Sequence, residues 1–284
     1  MAHVEINGLR VGYECAGKGP PLVLLHGLVG TGRSTWHRQL EELSDEFTVV
    51  AWDAPGAGRS TDPPTSFRMP DYADFLAAFI HALGLNNPHV AGLSFGGALA
   101  LELYRRWPRT PKSLTLAGAY AGWRGSLPPT TVECRLSDSL RLSELSATNF
   151  VAALLPAMFS PAAPRAQVVP FALSMAEFHP SGFRTMARAS AEADLRDVLP
   201  RIDVPTLLVH GESDVRAQRS VAEALRASIP SSRLIVLTGV GHVSSVEAPD
   251  QFNRVMRPFL RESAAGQLTA RRMTVQGRTR SAGA

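Results

Sequence analysis

In the stretch VAGLSFGGALALELY, Val90 to Tyr104, one serine stands among three glycines. Gly92-Leu93-Ser94-Phe95-Gly96 fits the pattern G-x-S-x-G, in which a serine sits on a sharp turn from a strand into a helix. Glycine weakens a helix start unless the backbone needs positive φ or a close approach. The spacing therefore predicts a turn too tight for side chains two residues to either side of Ser94. Such a turn holds the hydroxyl at a helix N-terminus, whose partial positive charge favours a developing anion. The chemistry on offer is nucleophilic attack on an electrophilic carbon.

A serine hydroxyl needs a general base, and the base needs an orienting acid. Of the eight histidines, His242 in GVGHVSS follows the last apolar run, in a loop at a strand's C-terminal end. Sites in open α/β sheets form at that end. His26 and His210 also end apolar runs, each followed by glycine; His210 reads as the close of its strand. His3, His37, His81, His89 and His179 fall at hairpin, helix, strand-start or inserted positions. For the acid, Asp214 in LLVHGESDV lies just past a strand end, with Glu212 as a close rival. Asp203 precedes the same strand, at the wrong edge of the sheet, and Asp138, Asp194 and Asp197 belong to the middle of the chain.

These side chains need elements to position them. VEINGLRVGYE alternates around Asn7-Gly8, a hairpin signal. PPLVLLHG, FTVVAWDAPG, PHVAGLS and KSLTLAGAY are short apolar runs ended by turn residues, as buried parallel strands are. Helical patterns lie between them: STWHRQLEELS, Asp71 to Leu83, and GGALALELYRRW halted by Pro108. From residue 122 to 197 the alternation stops, and helix-like pieces (SATNFVAALLPAMF, VVPFALSMAEF) take over. It resumes with PTLLVHG, SVAEALRASI, RLIVLTGVGH and APDQFNRVMRPFL. Strand–helix alternation implies a mostly parallel sheet with helices on both faces. The expected organisation is a core of residues 1–121 and 198–263, a helical cap at 122–197 and a basic tail at 264–284. In the cap, Met158, Phe159, Phe171, Met175 and Phe178 are the candidates for an apolar substrate pocket.

Composition removes other classes of function. The formal net charge of +4 equals the four arginines of residues 264–284, Arg271, Arg272, Arg278 and Arg280, so the rest is balanced. A balanced body offers no basic face to nucleic acid. No apolar run reaches the roughly 20 residues of a membrane span, and the first residues lack the pattern of a signal peptide. Two cysteines, Cys15 and Cys134, make neither a disulfide framework nor a metal cluster, which fits a cytoplasmic setting. GYECAGKG resembles a phosphate-binding loop, but Gly19 stands where Ser or Thr would be and a strand follows. GAGRS lacks the third glycine of a dinucleotide site. Both read as turns.

The motifs LLHG, DAPGAGRS, GLSFGG, GESD and GHVSSVEAPDQF, in that order between Leu24 and Phe252, resemble those of capped α/β-hydrolase-fold enzymes. Carboxylesterases, enol-lactonases and meta-cleavage product hydrolases are the members with similar motifs. The order Ser94, Asp214, His242 is also the order of that family's catalytic triad. The resemblance implies an α/β fold and a serine hydrolase acting on carboxylic esters of small or medium apolar substrates. It further implies an oxyanion hole from the main-chain N–H groups of Leu28 and Phe95, with His26 supporting the loop. Meta-cleavage hydrolases commonly have Asn before the nucleophile and Trp after the histidine, where this chain has Leu93 and Val243. A lactonase or carbon–carbon hydrolase is the alternative within the fold, and a slow-turnover ligand sensor the alternative outside enzymology. The expected partner is a small molecule, with no metal, no cofactor, no nucleic acid and no membrane; a homo-oligomer is left open.

Overall fold

The computed structural model describes residues 2–265 of the chain. The Asn7-Gly8 turn joins β1 (Ala2–Ile6) to β2 (Leu9–Ala16), paired antiparallel with Ile6 opposite Leu9. Strands and helices then alternate: β3 (Pro21–Leu25), α1 (Gly32–Leu43), β4 (Thr48–Trp52), α2 (Met69–Ala82), β5 (His89–Leu93), α3 (Phe95–Arg106) and β6 (Ser113–Ala117). Four helices interrupt the rhythm, α4 (Pro129–Leu142), α5 (Ala147–Leu154), α6 (Arg165–Ala176) and α7 (Pro180–Glu192). It resumes with β7 (Thr206–Gly211), α8 (Arg219–Ser228), β8 (Ser232–Leu237), the single turn α9 (Ser244–Glu247) and α10 (Pro249–Ala264). The strands form one sheet in the order β1-β2-β4-β3-β5-β6-β7-β8, parallel from β4 to β8. This is the α/β-hydrolase fold that the sequence motifs imply.

Side chains alternate across the sheet with period two, and each face has its own core. Leu22 and Leu24 of β3 pack with Trp36 and Leu40 of α1 and with Phe252 and Met256 of α10. Val23 and Leu25 of the same strand pack with Phe79 of α2 and Leu99 and Leu103 of α3. Every residue of β5, β6 and β7 is buried, as strands covered on both faces must be. The parallel strands run the same way, so the loops carrying His26, Ser94, Asp214 and His242 all leave from one edge of the sheet. Topology brings together residues that sequence separates by up to 216 positions, from His26 to His242.

The inserted helices join both cores: Phe150, Met158, Phe171 and Phe183 extend one, Met186 and Ala189 the other. Two details differ from the sequence reading. Helix α2 starts at Met69, not Asp71, because Pro70 suits a first turn that needs no N–H donor. Asp71 instead accepts the Arg68 N–H at 2.7 Å from the third position. Helix α4 was not foreseen; Ser139 is its only fully buried residue, so no strong apolar period announces it. The expected basic tail at 264–284 lies, beyond its first two residues, outside the described residues. No helix among the described residues is long and apolar enough to cross a membrane.

Candidate active site

Ser94 stands between β5 and α3 with φ 53° and ψ −109°, outside the regions that L-residues ordinarily occupy. The strain, worth about 1–3 kcal/mol for a residue so placed, holds the serine at the tip of the turn. The surrounding close approaches explain the glycines. A Cβ on Gly92 would lie 2.1 Å from the Gly96 carbonyl oxygen, and one on Gly96 would lie 2.3 Å from that of Leu25. Ser94 N–H donates to the Ala117 carbonyl at 2.8 Å, which ties the turn to the end of β6.

His242 and Asp214 meet across two loops, with Nδ1 2.7 Å from Asp214 Oδ2. A carboxylate only accepts, so Nδ1 carries the proton and Nε2 presents a lone pair. Asp214 Oδ1 accepts the N–H groups of Arg216 at 2.8 Å and Ala217 at 2.9 Å. Burial pushes the Asp214 carboxyl pKa up, but His242 and these donors outweigh it and hold the pKa below the usual carboxylate value. Gly118, at φ 50°, backs the pair: a Cβ there would sit 3.0 Å from His242 Nδ1 and 3.3 Å from Asp214 Oδ2. The rival Glu212 is exposed and accepts the Gly239 N–H at 2.9 Å, away from the histidine. Buried Glu247 fixes the histidine loop by accepting Gly241 N–H at 3.0 Å and Ser160 N–H at 3.1 Å. Val243 N–H donates to the Met158 carbonyl at 3.0 Å. These bonds join the histidine loop to the inserted segment.

The loop after β3 carries Leu28, and Phe95 opens α3. Among the described residues, neither main-chain N–H has a hydrogen-bond acceptor in the protein, and both residues line the same cavity as Ser94 and His242. His26 supports that loop from beneath. Its Nε2 accepts the Ala54 N–H at 2.9 Å, so the proton sits on Nδ1, which donates to the Gly27 carbonyl at 2.7 Å. Asp53 braces the next loop, its Oδ1 accepting Gly32 N–H at 2.9 Å and its Oδ2 pairing with Arg59 Nε at 2.9 Å. His210 lies buried with neither ring nitrogen hydrogen-bonded and does not reach the cavity.

Burial lowers the pKa of His26 and His210 and pushes His89 down to about 4. On unfolding each returns toward about 6.5. The unfolded chain then binds more protons at any pH between the two values, so stability is complete above about 6.5 and falls as pH drops below it. His89 alone carries roughly 3 kcal/mol across its window. We expect the unfolding midpoint in scanning calorimetry to decline steadily from pH 7 to pH 4.5. A midpoint flat over that range contradicts the burial of three neutral imidazoles.

The cavity spans about 570 Å³ of non-atom space, its mouth included, but only about 30 Å³ admits the centre of a water molecule. It is a narrow slot. Its lining includes apolar side chains, Leu28, Leu154, Met158, Phe171, Phe183 and Val243, and a polar group, Tyr120, Trp123, Arg135, Ser139, Ser190 and Arg216. Of the five cap residues expected at an apolar pocket, Met158 and Phe171 are there. The other three are not among its lining residues and have the packing role that their helical spacing equally allows. Phe159 packs edge-on behind Phe171 at 5.4 Å, Met175 is fully buried in the core, and Phe178 stacks on Phe150 at 3.6 Å. Successive turns of these segments alternate between slot and core, which spacing alone does not resolve. The polar group was missed altogether, since two arginines among 27 leave no pattern.

Known proteins resemble this chain in sequence and in fold. The chain is 30% identical over 258 residues to a pimeloyl-[acyl-carrier protein] methyl ester esterase of Vibrio campbellii, covering 87% of this chain and 97% of that one. It is 28% identical over 265 residues to a serine hydrolase of Homo sapiens, covering 91% and 86%. The structure of a thermophilic esterase from Thermogutta terrifontis, with malate bound, superposes with a TM-score of 0.85 at 27% identity, covering 93% and 99%. A model of the alpha/beta hydrolase family matches residues 22–255, from the first parallel strand into the last helix. That match spans most of the chain: the chain belongs to the alpha/beta hydrolase family.

Proposed function

We propose that the protein is a serine hydrolase of small carboxylic esters, with Ser94 as nucleophile, His242 as general base and Asp214 as its orienting acid. The observation that carries this reading is the Asp214–His242 hydrogen bond reaching into the slot that Ser94 and two free N–H groups line. His242 Nε2 takes the hydroxyl proton as Ser94 Oγ attacks the ester carbonyl carbon. Asp214 stabilises the resulting imidazolium. Leu28 and Phe95 N–H groups receive the oxyanion, each donor contributing about 3 kcal/mol to the transition state. The tetrahedral intermediate collapses, His242 protonates the departing alkoxide, and the acyl group stays on Ser94. Water, deprotonated by His242, then attacks the acyl-enzyme and releases the acid.

The inserted helices act in this reading as a cap that sizes the acyl site. Longer acyl chains must displace Met158, Phe171 or Phe183, and overpacking of that kind costs about 1–3 kcal/mol. Across p-nitrophenyl esters from acetate to dodecanoate, we expect kcat/KM to peak at two to four carbons, as a rough range, and to fall about tenfold or more by decanoate. Rates climbing through decanoate would reject a small-substrate slot. Stoichiometric release without turnover would favour a sensor.

A further inference from the structure

Most buried or half-buried arginines in this chain hold a carboxylate: Arg105 pairs with Glu102, Arg59 with Asp53, Arg257 with Asp45. Arg135 and Arg216 do not. Both line the slot, no aspartate or glutamate lines it with them, and among the described residues neither makes a salt bridge. Arg135 is held in place from α4. Its Nη1 donates to the Tyr120 hydroxyl at 2.9 Å, its Nη2 donates to the Arg216 carbonyl at 3.2 Å, and its guanidinium lies about 5.5 Å from the Tyr120 and Trp123 ring centres. The Tyr120 hydroxyl donates to that same Arg216 carbonyl. The Arg216 backbone is thus gripped by Tyr120, Arg135 and Asp214, while its guanidinium makes no hydrogen bond to the described residues. Asp214 acts on Arg216 through its charge, but the hydrogen bonds it accepts come from His242, Arg216 N–H and Ala217 N–H and not from the Arg216 guanidinium. Burial, with the like charge of Arg135 nearby, depresses the Arg216 pKa below the ordinary arginine value.

Two cations that share one slot with no carboxylate hydrogen-bonded to either are an arrangement that a ligand's negative charge would relieve. A guanidinium fork matches a planar carboxylate, and charge-assisted pairs of this kind are the stronger hydrogen bonds. We propose that the substrate is a small ester bearing a free carboxylate, which Arg135 and Arg216 hold while the ester carbonyl lies at Ser94. The apolar lining takes the short carbon chain between the two groups. This inference rests on the ester-hydrolase reading for its reacting end only.

The test compares monomethyl succinate with methyl pentanoate, close in length and differing in charge. The wild-type protein is expected to favour the acidic ester by about 10- to 100-fold in kcat/KM, the range for hydrogen bonds to charged groups. Arg216→Gln and Arg135→Gln are each expected to cut that ratio by about tenfold or more, chiefly through KM. A wild-type ratio near one, or variants that lower both esters equally, overturns the proposal. Calorimetric titration with glutarate separates the two readings. If neither ester turns over but glutarate binds, and binds at least about tenfold more weakly to Arg216→Gln, the carboxylate site stands and only the ester reading fails. No preference and no binding to the wild type sinks the site itself.

Discussion

Ser94→Ala is expected to lower kcat on p-nitrophenyl acetate by about six orders of magnitude while leaving the fold intact. Alanine keeps the backbone geometry of the turn, the Leu28 and Phe95 donors and the Asp214–His242 pair. What disappears is the one oxygen that can form the acyl-enzyme. The variant then has only water, activated by His242, and the oxyanion donors; these together leave about 10³- to 10⁴-fold over the uncatalysed rate. Steady-state hydrolysis together with a pre-steady-state burst of p-nitrophenol tests this directly. The wild type should show a burst matched to enzyme concentration if deacylation is slower, and the variant none. A variant retaining one part in a hundred of the activity would assign the nucleophile elsewhere. Ser94→Gly adds a second readout. Glycine accepts φ 53° without strain, so this variant should be as inactive yet more stable, by up to about 1–3 kcal/mol, less the extra entropy of a glycine in the unfolded chain.

Asp214→Asn is expected to lower kcat by about four orders of magnitude. The change is nearly isosteric, and the geometry of the loop survives because Asn Oδ1 can still accept from Arg216 and Ala217. The other end of the amide is an NH2 group, however. It donates to His242 Nδ1 where the carboxylate accepted, and the imidazole must move its proton to Nε2. A protonated Nε2 cannot take the serine proton, so the base is lost through its tautomer rather than its position. Nitrogen NMR of labelled imidazole distinguishes the two tautomers and should report the switch. Glu212→Gln serves as the control, since Glu212 is exposed and faces Gly239; its kcat should change less than about threefold. A loss below tenfold in Asp214→Asn, or an equal loss in Glu212→Gln, would move the acid to Glu212.

The reacting end of the site was legible in the sequence because its residues lie at strand ends and their types are dictated locally. Gly92 and Gly96 are glycines for reasons of a few ångströms, and those reasons are visible in the spacing around Ser94. His242 and Asp214 follow recognisable apolar runs, so the sheet's topology could be used to place them. Gly118 was not singled out, although LAGAY contains it, because its task is defined by two side chains from other strands. Asp53 and Glu247 sat inside quoted motifs without a role for the same reason: each joins loops that are distant in sequence. The inserted helices were least legible. Their packing is set by contacts with both cores, so spacing did not show which way Met175 faces, nor that Phe159 and Phe178 lie just beyond helix ends. Arg135 and Arg216 gave no signal in an arginine-rich chain; what marks them is the missing partner, and a sequence does not show partners.

The width of the slot bears on affinity as much as on selectivity. A slot this narrow must widen before a larger ligand enters. Where a wider form is only a fraction of the molecules, such a ligand binds that fraction alone, and its apparent dissociation constant is the intrinsic one divided by that fraction. An opening populated one part in a hundred, taken as an illustration, would weaken apparent binding about a hundredfold without altering a single contact. The Ser160 and Gly241 N–H groups donate to Glu247, and the Val243 N–H donates to the Met158 carbonyl. They bind the segment around residues 158–160 to the histidine loop, while Arg135 ties α4 to the Tyr120 hydroxyl and the Arg216 carbonyl. Substitutions far from Ser94 that loosen these contacts would then raise apparent affinity by shifting a population, with the chemistry at the serine unchanged.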